Sequence, residues 1–142
     1  MKAHLSRRYH FSASHRLHTE AYDAARNAAV FGKCNNPHGH GHNYTVQVTV
    51  SGQVDATTGM VCDLATLDAF AEANILKRFQ LTNLNTLDCF SDKVSTTENL
   101  TSEIYRIFQS FTKAHVERIH VEETSNNSFD FFDGLIPMHQ TI

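Results

Sequence analysis

The sequence predicts an α+β fold in which a four-stranded antiparallel sheet has two helices on one face. Two stretches near the N-terminus and two near the C-terminus alternate polar with apolar residues, as half-buried strands do. Between them, two stretches repeat apolar residues at helical spacing. This β-β-α-α-β-β order favours an antiparallel sheet with both helices on the same side. A chain of 142 residues fits a single domain, residues 1–142.

The first half of the chain contains two predicted strands. They cover Arg7–His15 and His40–Gly52, and each has one apolar parity. Between the strands, the residues from His18 to Lys33 are interpreted as a loop or a short helix. The segment Asp55–Gly59 has the composition of a turn, and Met60–Cys62 is a candidate extension of a strand.

Two predicted helices follow. Asp63 is the expected N-cap of a helix that runs to about Phe79. The run Ser95–Glu98 matches a capping box, with Ser95 as N-cap, and therefore predicts the start of a second helix. The residues expected to face the sheet are Leu64, Leu67, Ala71 and Ile75 in the first helix, and Leu100, Ile104, Ile107, Phe108 and Phe111 in the second.

The C-terminal part completes the predicted sheet. Val116–Glu123 alternates again, Ser125–Ser128 is interpreted as a turn, and Phe129–Phe132 is the last strand. Such a sheet leaves its second face open. Association of several sheets, edge to edge, would cover this face and protect the edges.

Composition excludes several classes of protein. The 12 Lys+Arg nearly balance the 15 Asp+Glu, which argues against a nucleic-acid-binding protein with a broad basic face. Three cysteines without a CxxC pair do not fit a disulfide framework, so we expect a reducing compartment, the cytoplasm. No apolar run follows Met1–Arg8 and no stretch is apolar enough to span a bilayer. We therefore expect neither a signal peptide nor a membrane partner.

His40 and His42 are the most informative residues. Side chains two apart on a strand share a face, and the apolar residues that follow continue this face inward. His15 continues the apolar parity of the first strand. Three neutral imidazoles with one open position describe a catalytic zinc site. The alternative for each is a hydrogen-bonded core histidine, but the shared parity favours zinc. His38, between Pro37 and Gly39, is interpreted as a loop residue.

Two further residues have more than one interpretation. Cys34 lies six residues before His40, and a thiol near a metal can act as a base or nucleophile, as a fourth zinc ligand, or as an inert side chain. Glu123 shares the apolar parity of its strand, and an inward carboxylate needs an ion-pair partner or a ligand with N–H donors. Thr96 and Thr97 lie at a helix N-terminus, which offers free N–H groups to an anion or a polar ring.

Six segments carry recognisable motifs in order along nearly the whole chain: Phe11–Leu17, Phe31–Pro37, Gly39–Tyr44, Asp55–Met60, Val94–Asn99 and Glu123–Asn127. Together they resemble the 6-pyruvoyl-tetrahydropterin synthase family. The distance from the cysteine to His-Gly-His resembles the biopterin-type branch more than the related 6-carboxy-tetrahydropterin synthases.

The resemblance implies the tunnelling fold and a homo-oligomer. In this family three four-stranded sheets join into a barrel, and two trimers stack into a hexamer. The implied reaction converts 7,8-dihydroneopterin triphosphate into 6-pyruvoyl-tetrahydropterin with loss of triphosphate. A small-molecule pterin triphosphate would thus be the binding partner.

The resemblance also implies roles for individual residues. It places zinc on His15, His40 and His42. It makes Cys34 the base that abstracts a proton. It makes Glu123 the anchor of the pterin ring, with Thr96 and Thr97 also at the substrate.

One departure from the family pattern concerns proton transfer. The family has an Asp-His pair before an Asn-Leu, and Gln80 and Leu81 occupy these places here. Leu81 cannot transfer a proton. Other functions therefore stay open: conversion of the same substrate to 6-carboxy-tetrahydropterin or a hydroxymethyl-pterin, and a zinc-loaded pterin-binding protein with impaired catalysis. A zinc hydratase of the carbonic anhydrase type fits the flanking motifs least.

Overall fold

The computed structural model describes residues 1–132 and 134, and its centre is a mixed sheet of five strands in the order β3-β1-β2-β4-β5. Neighbours pair antiparallel except β3, which pairs parallel with β1. The strands are β1 (Lys2–His15), β2 (His40–Gln53), β3 (Thr82–Asn83), β4 (His115–Thr124) and β5 (Asn127–Phe132). The α+β class is confirmed, but the predicted count of four strands is wrong because β3 adds a short edge strand.

The helices lie where the sequence predicts them, with one addition. The short helix that was one interpretation of the first loop is present as α1. The long predicted helix is continuous, but it contains a π-helical turn. The helical elements are α1 (Ala24–Phe31), a 3-10 turn (Gly32–Asn35), α2 (Leu64–Ala71), the π-helical turn (Glu72–Leu76), α3 (Lys77–Phe79) and α4 (Thr97–Phe108). Two short 3-10 turns, Leu84–Thr86 and Asp88–Phe90, precede α4.

The helix caps confirm one prediction and correct another. Asp63 caps α2, because its carboxylate accepts a hydrogen bond from Thr66 N at 3.1 Å. The N-cap of α4 is Thr96, whose hydroxyl accepts from Asn99 N at 3.2 Å, and Ser95 is not the cap. Ser95 is buried one residue earlier and its carbonyl bonds a histidine ring, so the cap moves forward by one residue.

Strand boundaries also differ from the prediction. β1 begins at Lys2 and not at Arg7, because its charged N-terminal half pairs with the far end of β2. Met60–Cys62 forms no strand. The turn after β4 is present, and β5 begins two residues earlier than predicted, at Asn127.

One face of the sheet packs on the helices, and the other is polar. The helix-facing residues of β2 are fully buried, as are the apolar residues of α2 and α4 that meet them. On the opposite face, side chains of β1 and β2 pair across the strands. These pairs are Ser6 with Thr49 at 2.8 Å, Arg8 with Gln47 at 2.8 Å, His10 with Thr45 at 3.1 Å and Ser12 with Asn43 at 2.6 Å.

Hydrogen bonds between side chains connect β1 to α2. The Arg7 guanidinium donates two hydrogen bonds to Asp68, at 3.0 and 2.8 Å, and Tyr9 Oη donates a third at 2.8 Å. Within residues 1–132 and 134, no helix is both long and apolar enough to cross a membrane.

Candidate metal centre

The pairing of β1 with β2 brings His15, His40 and His42 together. His15 lies directly opposite His40, and His42 lies opposite Ala13, two residues further along the same face. The three ring centroids are 4.9, 5.2 and 4.8 Å apart, with the rings nearly perpendicular to one another. We call these residues the histidine cluster. Strand parity and the register of β1 with β2 together account for their convergence.

A glycine allows the chain to enter β2 beside β1. Gly39 has a φ of +70°, and a Cβ atom at this position would lie 2.9 Å from the carbonyl oxygen of His15. Both the backbone conformation and the close approach exclude other residues without rearrangement. Gly39 thus helps to set the distance between His15 and His40.

The His15 ring is oriented by the backbone that precedes α4. Its Nδ1 donates to the carbonyl oxygen of Ser95 at 2.6 Å, which leaves Nε2 free to face the cluster. Burial lowers the pKa of His15, and the neighbouring imidazoles lower it further, while the Ser95 carbonyl opposes them. Burial also lowers the pKa of His42. Both rings are therefore held in the neutral form that binds metals.

Glu123 completes the group of possible metal ligands. The β4–β5 register shifts between Glu122 and Thr124, and such an irregularity re-aims the side chain at Glu123. Its Oε1 lies 2.9 Å from His42 Nε2 and 3.7 Å from His15 Nε2, and Asn127 Nδ2 donates to its Oε2 at 3.2 Å. One ligand atom from each histidine and Glu123 lies within 4.8 Å of the others.

Four buried side-chain atoms in the described part of the chain lack a hydrogen-bond partner, and all belong to this region: His15 Nε2, His42 Nε2, Tyr44 Oη and Thr97 Oγ1. Buried polar groups are normally satisfied, so a cluster of exceptions indicates a missing ligand. Two imidazole nitrogens without a hydrogen-bond partner, of which that of His42 lies 2.9 Å from the Glu123 carboxylate, fit a divalent metal such as zinc.

Tyr44 lies on the same strand face as His40 and His42, and no role was predicted for it. Its ring stacks on Phe11 at 5.1 Å and meets the His42 ring edge to face at 5.6 Å. Burial raises the pKa of Tyr44 far above its ordinary value, and the Glu123 carboxylate raises it further, while the adjacent Thr97 hydroxyl opposes them. The Tyr44 and Thr97 hydroxyls are neighbours but do not meet in hydrogen-bonding geometry. No sequence pattern reveals such an unpaired hydroxyl.

Cys34 lies outside the group of metal ligands. It is half-buried in the 3-10 turn before β2, and its carbonyl accepts from Leu17 N at 2.8 Å. The group of possible metal ligands contains Glu123 and not Cys34.

The two threonines at the start of α4 differ. The Thr96 hydroxyl is used to cap the helix, whereas Thr97 is 1% exposed and its hydroxyl is unpaired. Of the two, Thr97 has the side chain with free hydrogen-bonding capacity next to Tyr44. Glu98 is exposed and is not part of the cap.

Gln80 and Leu81 lie against the edge of β1 beside the site. Gln80 Oε1 accepts from Ser12 N at 2.8 Å, and Leu81 N donates to Ser12 O at 2.6 Å. Leu81 has a φ of +55° and is 81% exposed, and it lines a cavity that His42 also borders. An exposed leucine in a left-handed conformation is costly and is typical of functional regions. The departure from the family pattern therefore lies at the edge of β1, next to the polar face that Ser12 and Asn43 share.

Comparison with known proteins gives consistent matches. The family model described as 6-pyruvoyl tetrahydropterin synthase matches residues 4–133. The chain is 45% identical over 128 residues to the human 6-pyruvoyl tetrahydrobiopterin synthase, covering 89% of this chain and 88% of the human protein. It is 50% identical over 104 residues to the Drosophila melanogaster protein of the same name, covering 72% of this chain and 62% of that protein.

A solved structure gives the same result for the fold. The Caenorhabditis elegans 6-pyruvoyl tetrahydropterin synthase superimposes with a TM-score of 0.89 at 36% identity, covering 94% of this chain and 97% of that one. Three strand histidines, of which His15 is buried, and the nearby Glu123 form a group that could hold a metal ion. The chain belongs to the 6-pyruvoyl tetrahydropterin synthase family and is a lyase of the type that this family comprises.

Proposed function

We propose that the protein is a zinc-dependent lyase that converts 7,8-dihydroneopterin triphosphate into 6-pyruvoyl-tetrahydropterin and triphosphate. The main support is the histidine cluster, whose unpaired Nε2 atoms lie beside Glu123 in a chain whose relatives are named 6-pyruvoyl tetrahydrobiopterin synthase. Three imidazoles that keep one position open for substrate are typical of catalytic rather than structural zinc.

The proposed reaction needs no external oxidant or reductant. One C–O bond to the triphosphate breaks, and the electron pair leaves with the triphosphate oxygen. Two hydroxyl-bearing carbons of the side chain become carbonyl carbons, while the ring changes from the dihydro to the tetrahydro level. The enzyme therefore has to move protons between carbon, oxygen and ring nitrogen.

Metal binding, proton transfer and binding of the pterin ring are assigned to different residues of this chain. His15, His40 and His42 hold the metal, which when bound supplies a Lewis acid for the oxygens of the side chain. Cys34 exchanges protons with the side-chain carbons. Glu123 accepts hydrogen bonds from the N–H groups of the pterin ring.

Thr96 and Thr97 would lie next to the pterin ring of the substrate. Thr97 contributes its unpaired hydroxyl, whereas the Thr96 side chain keeps its capping bond, so that Thr96 acts by positioning the first turn of α4. The two threonines thus support the same ring edge in different ways.

We further propose a single tunnelling-fold domain over residues 1–142 that assembles through its sheets. Three subunits form a barrel and two trimers form a hexamer, which would cover the polar face of β1 and β2. Native mass spectrometry should then give six times the mass of 16.0 kDa, and a monomer would contradict this assembly. The three unpaired cysteines of the described chain support a cytoplasmic location.

Two rival functions have specific support. Because Leu81 cannot relay a proton, the alternatives to this lyase are a zinc-loaded pterin-binding protein with impaired catalysis and an enzyme that makes another product from the same substrate. The other products would be 6-carboxy-tetrahydropterin or a hydroxymethyl-pterin. The identity of the product separates these cases.

The deciding experiment incubates zinc-loaded protein with 7,8-dihydroneopterin triphosphate and follows triphosphate release and the pterin product together. Cys34→Ala is the control, because it retains the histidine cluster. We expect release that depends on Cys34, with 6-pyruvoyl-tetrahydropterin as product. Release no faster than in the Cys34→Ala variant would contradict the lyase and favour the pterin-binding protein.

A further inference from the structure

A cavity of about 540 Å³ opens beside the histidine cluster, on the side of His15. We call it the His15 cavity. Its walls come from the end of β1, the loop after it, the turn before β2 and the segment before α4. Its volume is that of a small-molecule site. A second cavity, of about 410 Å³, borders the cluster through His42, and its lining contains no lysine or arginine.

Two cations without an ion-pair partner in the described part of the chain line the His15 cavity, although the Lys93 charge also helps to lower the pKa of Glu103. Arg16 and Lys93 form no ion pair with another residue in the described part of the chain, whereas Arg7, Arg106 and Arg118 each pair with a carboxylate. Arg16 Nε donates to the carbonyl oxygen of Asn35 at 3.0 Å, which fixes the base of its guanidinium. Unpaired cations around a concave surface attract anions.

The walls of the cavity are held in place by amide side chains. Asn85 clamps the backbone of Arg16, because its Oδ1 accepts from Arg16 N at 2.7 Å and its Nδ2 donates to Arg16 O at 2.8 Å. The buried Asn27 fixes the outer loop by exchanging two hydrogen bonds of 2.9 Å with the backbone of Thr19. The site is therefore organised before any ligand binds.

Two carboxylates also line the cavity, at its exposed edge. The Glu20 side chain is 97% exposed and lies 3.3 Å from His18 Nε2. Asp92 is exposed and forms no ion pair with another described residue. Neither carboxylate pairs with Arg16 or Lys93, so the two cations stay available to a ligand.

We infer that the His15 cavity binds the triphosphate group of the substrate, with Arg16 and Lys93 contacting phosphate oxygens. This inference rests on the proposed function for the identity of the substrate. The pterin ring and the triphosphate lie at opposite ends of a three-carbon side chain. With the ring at Glu123 and the side chain at the histidine cluster, the triphosphate must extend beyond the cluster. Of the two cavities that border the cluster, the His15 cavity supplies the positive charge.

The same cations favour bond cleavage. When the C–O bond breaks, its electron pair leaves with the triphosphate oxygen, and the leaving group gains negative charge. Arg16 and Lys93 stabilise this charge as it develops. Arg16, with its planar group of N–H donors, suits two phosphate oxygens at once, while Lys93 acts as a point charge at the exposed end.

The test measures binding of inorganic triphosphate and orthophosphate by isothermal titration calorimetry. The protein is used as purified, and its zinc content is assayed before and after each titration. Lys93→Glu reverses one cavity charge. Lys77→Glu is the matched control, because Lys77 is an exposed lysine of α3 outside the cavity. Arg16→Gln is a second cavity variant.

We expect triphosphate to bind more tightly than orthophosphate, and Lys93→Glu to weaken triphosphate binding about tenfold or more. Arg16→Gln should also weaken it, and Lys77→Glu should change it less than about twofold. Equal losses in Lys93→Glu and Lys77→Glu would overturn the inference. The inference would also be overturned if triphosphate binding required zinc and had the same affinity in Lys93→Glu and Arg16→Gln as in the unchanged protein.

Failure of this inference is distinguishable from failure of the proposed function. If the pterin substrate is turned over but triphosphate binding does not depend on Lys93 or Arg16, only the inference about the cavity is refuted. Triphosphate binding that depends on these residues, without turnover, would support the cavity assignment and count against the lyase.

Discussion

Removing the Tyr44 hydroxyl should stabilise the protein. The Tyr44 side chain is fully buried and its Oη has no hydrogen-bond partner within the described chain. An unsatisfied buried polar group costs about 1–3 kcal/mol. Tyr44→Phe keeps the ring stacked on Phe11 and removes only this cost, so the free energy of unfolding should rise by about 1 kcal/mol. For a chain of this size, the midpoint of thermal unfolding should rise by about 3 °C.

Tyr9→Phe is the matched control with the opposite sign. Tyr9 is also largely buried, but its Oη donates to Asp68 at 2.8 Å. Removing this hydroxyl leaves the carboxylate with fewer donors, so the free energy of unfolding should fall by about 1 kcal/mol.

The assay is urea unfolding of metal-free protein, followed by circular dichroism, with thermal scans as a second measurement. The metal is removed because binding to the native state alone would add its own stabilisation. If Tyr44→Phe lowers the midpoint as much as Tyr9→Phe does, the Tyr44 hydroxyl has a partner. The interpretation of the four unpaired atoms as the mark of a ligand site would then be refuted.

Three further predictions concern the metal, the proton relay and acid stability. His42→Ala should lower the zinc bound per chain, measured by plasma emission spectrometry, and retention of full zinc content would contradict the ligand set. Gln80→Asp combined with Leu81→His should raise turnover by about a hundredfold, with Gln80→Asp alone as control, and an unchanged rate would show that another group already moves the proton. The buried Glu103 has its pKa lowered by Arg106, so its contribution to stability is present above its ordinary value of 4.5 and is lost as the pH falls through its lower native pKa. Glu103→Gln should remove this acid-dependent part of the urea midpoint, and an unchanged acid dependence would contradict the assignment.

The histidine cluster could be anticipated because strand parity is a strict rule. A period of two leaves His40 and His42 on one face, and the pairing of β1 with β2 then places His15 opposite His40. The carboxylate of Glu123 could be placed inward for the same reason. Its distance from His42 depends on the register shift at the β4–β5 turn, which no alternation pattern contains.

Other features were decided by tertiary contacts. Ser95 and Thr96 are both good N-cap residues, and the choice fell to Thr96 because the Ser95 carbonyl is used by His15. The two residues of β3 are too few to show any periodicity. The charged start of β1 resembles a loop in sequence and is a strand only because β2 lies beside it. Local patterns cannot supply these partners.

The π-helical turn at Glu72–Leu76 lets the helix hold one surplus residue without changing the direction of the residues beyond it. Such a turn holds one residue more than the α-helical turn that it replaces. Deleting one exposed residue there would let the helix rewind as a regular one, with Phe79 still buried and Gln80 still bonded to Ser12. The loop that closes beside β1 thus tolerates a change of one residue in the length of the helix before it.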